Sequence, residues 1–133
     1  MASERKPAEE FSGAVPLHDP RVRNALCLIH SEFKNHDLTV ATLARKLHLS
    51  PSRLRQLFAA ELGSTPKSYI REVRLARARM LLEHSVLSVK EVMAAVGFND
   101  PSHFSKDYKR RFGLMPRKYR ETFYAGENNI KTV

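Results

Sequence analysis

The chain has 133 residues and 42% hydrophobic content, a size suited to one compact domain or to two very small lobes sharing an element. No apolar run approaches a membrane span and no apolar stretch follows Met1, so neither a spanning helix nor a secretory signal is expected, and the expected compartment is the cytoplasm. Twenty-three Lys and Arg against fourteen Asp and Glu give a net charge of +9, which points to a polyanionic partner, nucleic acid ahead of an anionic membrane surface.

Residues 1–18 carry Pro7, Gly13 and Pro16 with no helical period, and read as a flexible tail or linker remnant. Asp19-Pro20 is an N-cap acceptor followed by Pro at the first helical position, and Val22, Leu26, Ile29 and Phe33 continue at helical spacing to about Asn35. Thr39 opens a second helix with Val40, Leu43, Ala44 and Leu47 on one face. Ser50-Pro51 opens a third with Leu54, Leu57, Phe58 and Leu62 inward, closed by Gly63. Thr65-Pro66 opens a long helix in which Tyr69, Val73, Ala76 and Met80 share a face. Ser88 and Glu91 form a capping box ahead of Val89, Val92, Met93 and Val96. Asp100-Pro101 opens a sixth helix with Phe104, Tyr108 and Phe112 inward, and Pro116 a short last one carrying Tyr119 and Phe123. No alternating strand pattern appears, so the expected fold is all-α with seven helices.

Two stretches repeat at an offset of fifty residues. Ser52, Leu54, Phe58, Leu62, Gly63, Pro66 and Tyr69 recur as Ser102, Phe104, Tyr108, Phe112, Gly113, Pro116 and Tyr119. Each copy is a short helix, a tight turn and a second helix, the pattern of a helix-turn-helix. The repeated positions are core, cap and turn. The outward positions differ: Ser52, Arg53, Arg55 and Gln56 in the first copy, Ser102, His103, Ser105 and Lys106 in the second. A recognition helix needs this division, because its inner face packs while its outer face offers donors and acceptors to base edges. These eight residues are the candidate base contacts. The basic charge is concentrated nearby, with seven Lys or Arg and one Asp between Ser102 and Arg120. Lys109, Arg110, Arg117, Lys118 and Arg120 are the candidate phosphate contacts, aided by helix N-termini. Arg71, Arg74, Arg77 and Arg79 are spread around the long helix, so some must face away from DNA.

The segment GFNDPSHFSKDYKRRFGLMPRKYR closely resembles the signature of the AraC/XylS transcriptional regulators, through Gly97, Phe98, Ser102, Phe104, Lys106, Lys109, Gly113, Pro116, Tyr119 and Arg120. The first copy, LARKLHLSPSRLRQLFAAELGSTPKSYI, resembles that family's first helix-turn-helix, and the resemblance covers about residues 20–123. Tyr108 stands where the family usually has Phe, placing a hydroxyl at the core's edge, and Met115 where a small N-cap residue is usual. The resemblance implies two homeodomain-like helix-turn-helix lobes, at about 19–65 and 85–123, joined by a linker helix at about 66–84, with a C-terminal tail at 124–133. It implies sequence-specific binding to double-stranded DNA, with two recognition helices in successive major grooves, and contact with RNA polymerase. The domain alone is expected to be a cytoplasmic, nucleoid-associated monomer. The linker from Pro66 to Leu82 would span about 25 Å against about 34 Å between successive grooves. Either the DNA bends, at a cost of order 1–6 kcal/mol, or one lobe engages loosely.

Competing readings are a non-specific basic nucleic-acid binder whose specificity comes from a partner or missing domain, a protein-docking module, and a membrane-surface helix. Cofactors and metals are not expected, since no two His stand at ligating spacing and Cys27 with His30 is too little. Cys27 reads as a reduced core thiol, His48 as structural, and the Met residues as core filler. No nucleophile triad, paired carboxylates or phosphate loop stands out, so an enzyme is not expected.

Overall fold

Five of the seven helices start on a proline, whose fixed φ suits a first helical turn and whose missing N–H is not needed there. They are α1 (Pro20–Glu32), α3 (Pro51–Leu62), α4 (Pro66–His84), α6 (Pro101–Phe112) and α7 (Pro116–Thr132). The other two, α2 (Val40–Lys46) and α5 (Val89–Ala95), open on capping boxes, Thr39 with Thr42 and Ser88 with Glu91. The computed structural model describes residues 19–132, with side chains through residue 126, and among the described residues there is no strand.

The helices form two lobes with separate apolar cores. Ala25, Ile29, Leu43, Ala44, Leu54, Phe58 and Ile70 are buried together in the first, built from α1, α2, α3 and the start of α4. Leu75, Ala78, Leu82, Val92, Met93, Val96, Phe104 and Tyr108 are buried in the second, built from the rest of α4, α5 and α6. Burying each large apolar side chain contributes about 1.5–3 kcal/mol. One helix therefore supplies core residues to both lobes.

The sequence repeat is a structural repeat. In both turns a residue with positive φ follows the short helix, His48 at 59° and Gly97 at 98°. The next amide closes the helix end, Leu49 N onto Ala44 O at 2.9 Å and Phe98 N onto Met93 O at 3.1 Å. After each second helix a left-handed glycine stops the chain, Gly63 at 67° and Gly113 at 88°.

Several expectations need correction. The buried face of α4 is Pro66, Ile70, Leu75, Ala78 and Leu82; Ala76 and Met80 are exposed, because α4 turns a different face to each core. Cys27 is exposed, since α1 points Val22, Ala25 and Ile29 inward. Of the described methionines only Met93 is buried, while Met80 and Met115 are about half exposed. The last helix is long rather than short and replaces the expected tail from 124 onward. The side chains of its first turns fasten it to α4: Tyr119 donates to Glu83, Tyr124 Oη donates to Ser85 O at 3.2 Å, and Phe123 meets His84 edge-on. Tyr108 lies inside the second core, not at its edge, ringed by Phe104, Phe112 and Tyr119. Its hydroxyl has no hydrogen-bond partner among the described residues. Tyr108→Phe is accordingly expected to raise stability by about 1 kcal/mol, seen as a higher urea midpoint at unchanged slope, because it removes a desolvated, unpaired polar group.

Candidate nucleic-acid interface

The two second helices, α3 and α6, are held by their inner residues. Leu54, Leu57 and Phe58 anchor α3, and Phe104 and Tyr108 anchor α6. The 3.6-residue period then sends the intervening positions outward. Ser52, Arg53, Arg55 and Gln56 are all exposed on α3, as are Ser102, His103 and Lys106 on α6; Ser105 is half-buried. Arg55 and Lys106 make no hydrogen bond or ion pair among the described residues, so both are available to a ligand. Arg53 donates to Gln56 Oε1 at 3.2 Å, which orients the amide across the face of α3. His103 lies 3.9 Å from Asp100, a loose contact at the rim of α6.

The N-termini of these helices are already capped by their own side chains. Ser50 Oγ accepts from Arg53 N at 3.0 Å, and Asp100 Oδ1 accepts from Ser102 N at 2.9 Å and His103 N at 3.3 Å. The start of α7 differs, because Met115 before Pro116 has no side-chain oxygen to cap the first amides, although its carbonyl accepts from Tyr119 N at 2.8 Å. Exposed Arg117 and Lys118 stand on that first turn, with exposed Lys109 on the last turn of α6 before Gly113. These three exposed positive side chains flank the turn from α6 to α7 and the start of α7. Arg110 is exposed but paired with Asp107 at 2.8 Å.

Arg120 is not part of this surface. Its guanidinium is turned inward and donates to the carbonyls of Leu82 at 3.0 Å, Ser85 at 3.2 Å and Leu81 at 3.3 Å, and to that of Leu87. It closes the C-terminal end of α4, where the Leu81 carbonyl also accepts from Ser85 N at 3.0 Å and Ser85 Oγ at 2.7 Å, so the guanidinium expected to meet a phosphate is held here by carbonyls of the fold instead. The arginines of α4 also separate. Arg79 lies over the Phe112 ring at 5.1 Å and near Glu83, Arg77 stays exposed, and Arg74 donates to three carbonyls of the α1–α2 connection. Arg71 and Lys67 line a cleft of about 490 Å³ between the lobes, together with His36, Thr39 and His103. Sequence spacing gave no sign of this cleft, because it arises where α2, α4 and α6 meet.

Local electrostatics stabilise the scaffold. The Arg21 guanidinium beside Asp19 holds that N-cap carboxyl down to about 2. Burial, aided by the bond to Glu83, pushes the Tyr119 hydroxyl up to about 12. Among the described residues no three His, Cys, Asp or Glu side chains cluster as a metal site, and no helix is long and apolar enough to cross a membrane.

Two helix-turn-helix units with exposed polar faces on a basic chain define a class, the helical DNA-binding domains of gene regulators. A family model described as a helix-turn-helix domain matches residues 43–122. The Msm operon regulatory protein of Streptococcus mutans is 40% identical over 113 residues, covering 85% of this chain and 39% of that protein. An AraC-type transcriptional regulator structure from Chromobacterium violaceum aligns with a TM-score of 0.69 at 32% identity, covering 78% of this chain and 92% of that one. The DNA-binding domain of AdpA, solved in complex with a target DNA, aligns with a TM-score of 0.73 at 28% identity, covering 80% and 95%. The chain belongs to the AraC-type helix-turn-helix family of transcriptional regulators. It spans about two fifths of the length of the Streptococcus relative.

Proposed function

We propose that the protein is the DNA-reading part of a transcriptional regulator, and that α3 and α6 read two half-sites in successive major grooves of one duplex face. The observation that carries this reading is the repeat itself: inner faces, caps and turns recur, while the outward residues of the two second helices differ. Arg55 is suited to a bidentate contact with guanine, Gln56 to adenine, and Lys106 to guanine O6 and N7. Ser52, Arg53, Ser102, His103 and Ser105 complete the two faces. Lys109, Arg117 and Lys118, with Arg110 once released from Asp107, would hold phosphates and fix register. At 19 residues α4 is about 28 Å long, short of the groove repeat of about 34 Å, so bending of the DNA toward the protein would let both lobes seat. Contact with RNA polymerase, action in the cytoplasm at the nucleoid, and a monomeric state for this domain complete the proposal.

The test is selection from random duplexes of about 30 base pairs, near physiological salt, with affinities measured on the winners. Two short motifs about one helical turn apart support the reading. Binding without any motif would favour a non-specific binder, and absence of binding would remove the DNA assignment. On the selected duplex, Arg55→Ala and Lys106→Ala are each expected to cost about 1–3 kcal/mol of cognate affinity and little on random sequence. Lys118→Ala should weaken both duplexes alike and lower the salt slope by about one. Equal losses for all three variants would remove Arg55 and Lys106 from base reading.

A further inference from the structure

A continuous helix fixes how far apart two lobes sit, but each lobe packs on its own stretch of α4, so rotation between them needs a second restraint. One point in the molecule brings together parts of both. Phe33, just after α1 in the first lobe, packs its ring against the core of the second lobe. Its carbonyl accepts from Arg74 Nε at 2.9 Å. Arg74 stands in the middle of α4, between Ile70 of one core and Leu75 of the other. Its Nη2 also donates to Asn35 O at 2.9 Å and reaches Leu38 O at 3.4 Å. These carbonyls belong to the connection between α1 and α2, and the guanidinium fork spans them as a single ammonium would not. Desolvation lowers the pKa of half-buried Arg74, yet an arginine stays charged, so its bonds to carbonyls are charge-assisted.

Gly97 closes the same point from the second lobe. It is buried, and a Cβ built on it would lie 2.3 Å from Phe33 O and 2.8 Å from Arg74 Nε. Gly97 sits in the turn that leads directly into α6 through Pro101. Any rotation of the second lobe against α1 must move this turn across the Arg74 guanidinium.

We propose that Arg74, held between the Phe33 carbonyl and Gly97, is a positioning residue that locks the two recognition helices at one mutual angle and thereby sets the half-site spacing the protein accepts. This rests on the DNA reading above. A shift of one base pair moves the second half-site about 34° around the helix axis. A locked pair tolerates this poorly, and an unlocked pair follows it.

The test compares the wild-type chain with Arg74→Met and Arg74→Lys by two readouts. The first is the distance distribution between spin labels on Ala60→Cys in α3 and Lys90→Cys in α5, in a Cys27→Ser background without DNA. Wild type is expected to give one narrow distribution and Arg74→Met a broad one. The second is affinity for duplexes carrying both selected half-motifs with the spacer changed by one base pair. Wild type should lose about tenfold or more, and Arg74→Met less than about threefold, while isolated half-motifs bind both proteins within about twofold. Arg74→Lys should fall between. A variant whose distance distribution and spacing profile match wild type overturns the proposal, as does a loss that is equal on half-motifs and at every spacing. If Arg74→Met does not fold, a wild-type profile in Arg74→Lys overturns it equally. If the wild-type chain selects no two-part motif, the DNA reading itself fails. A label distance that still broadens would then leave a structural joint without a role in spacing.

Discussion

Gly97→Ala is expected to destabilise the protein by about 2–6 kcal/mol, more than alanine at any other described glycine. Two independent effects add. At φ of 98° an L side chain is strained wherever it stands, at about 1–3 kcal/mol. The added Cβ also meets the Phe33 carbonyl oxygen at 2.3 Å. That atom is backbone and cannot rotate away, so the α1 end or the second turn must shift, an overpacking cost of about 1–3 kcal/mol. The internal controls are Gly63→Ala and Gly113→Ala. Both glycines have positive φ, but neither Cβ would meet an atom within 4 Å, so only the same backbone term of about 1–3 kcal/mol applies. His48, the counterpart of Gly97 in the first turn, is exposed and carries a side chain at φ of 59°. Urea unfolding of the three alanine variants checks this. If Gly97→Ala costs no more than Gly113→Ala, the contact with Phe33 is not what holds the lobes together.

Much of this architecture is readable in the residues. Helix starts are written as Asp19-Pro20, Ser50-Pro51, Thr65-Pro66 and Asp100-Pro101, and two stops as Gly63 and Gly113. The outward residues of α3 and α6 follow from the same period that places Leu54, Phe58, Phe104 and Tyr108 inward. The inner face of α4 is not readable this way. A single amphipathic stripe assumes one core, and α4 serves two, so Tyr69, Val73, Ala76 and Met80 share a face that is only partly covered. The length of α7 was hidden because its anchor, Ser85 and His84 at the end of α4, lies far away in sequence.

The arginines show the same limit more sharply. In sequence Arg55, Arg74 and Arg120 are alike: single cations on basic helices. Their roles differ because of which carbonyls they can reach. Arg55 meets none among the described residues, Arg74 meets three of the α1–α2 connection, and Arg120 meets four around the end of α4. Pattern reading treats a basic residue near a recognition helix as a phosphate contact by default. Only tertiary proximity shows that a guanidinium has been taken up by the fold.

Arg120→Met is where that distinction has its largest measurable consequence. The substitution keeps most of the apolar stem and removes five donors. The carbonyls of Leu81 and Leu82 in the last turn of α4, with those of Ser85 and Leu87 beyond it, lose their shared partner. A positive charge at a helix C-terminus also opposes the negative end of the helix dipole, and this too is lost. Bonds to a charged donor contribute about 1.5–3 kcal/mol; Leu81 O keeps Ser85 N and Oγ and Ser85 O keeps the Tyr124 hydroxyl, while the carbonyls of Leu82 and Leu87 add a desolvation cost that incoming water only partly offsets. The expected destabilisation is about 2–4 kcal/mol in urea unfolding, with the salt slope of DNA binding by the folded variant unchanged. Arg117→Ala and Lys118→Ala, three and two residues earlier on exposed positions, should give the opposite pair of results: unfolding within about 0.5 kcal/mol of wild type, and a salt slope lower by about one. If Arg120→Met instead unfolds like wild type and lowers the salt slope, its guanidinium leaves the α4 carbonyls for a phosphate on binding, and the C-terminal end of the linker helix must then be closed by other groups.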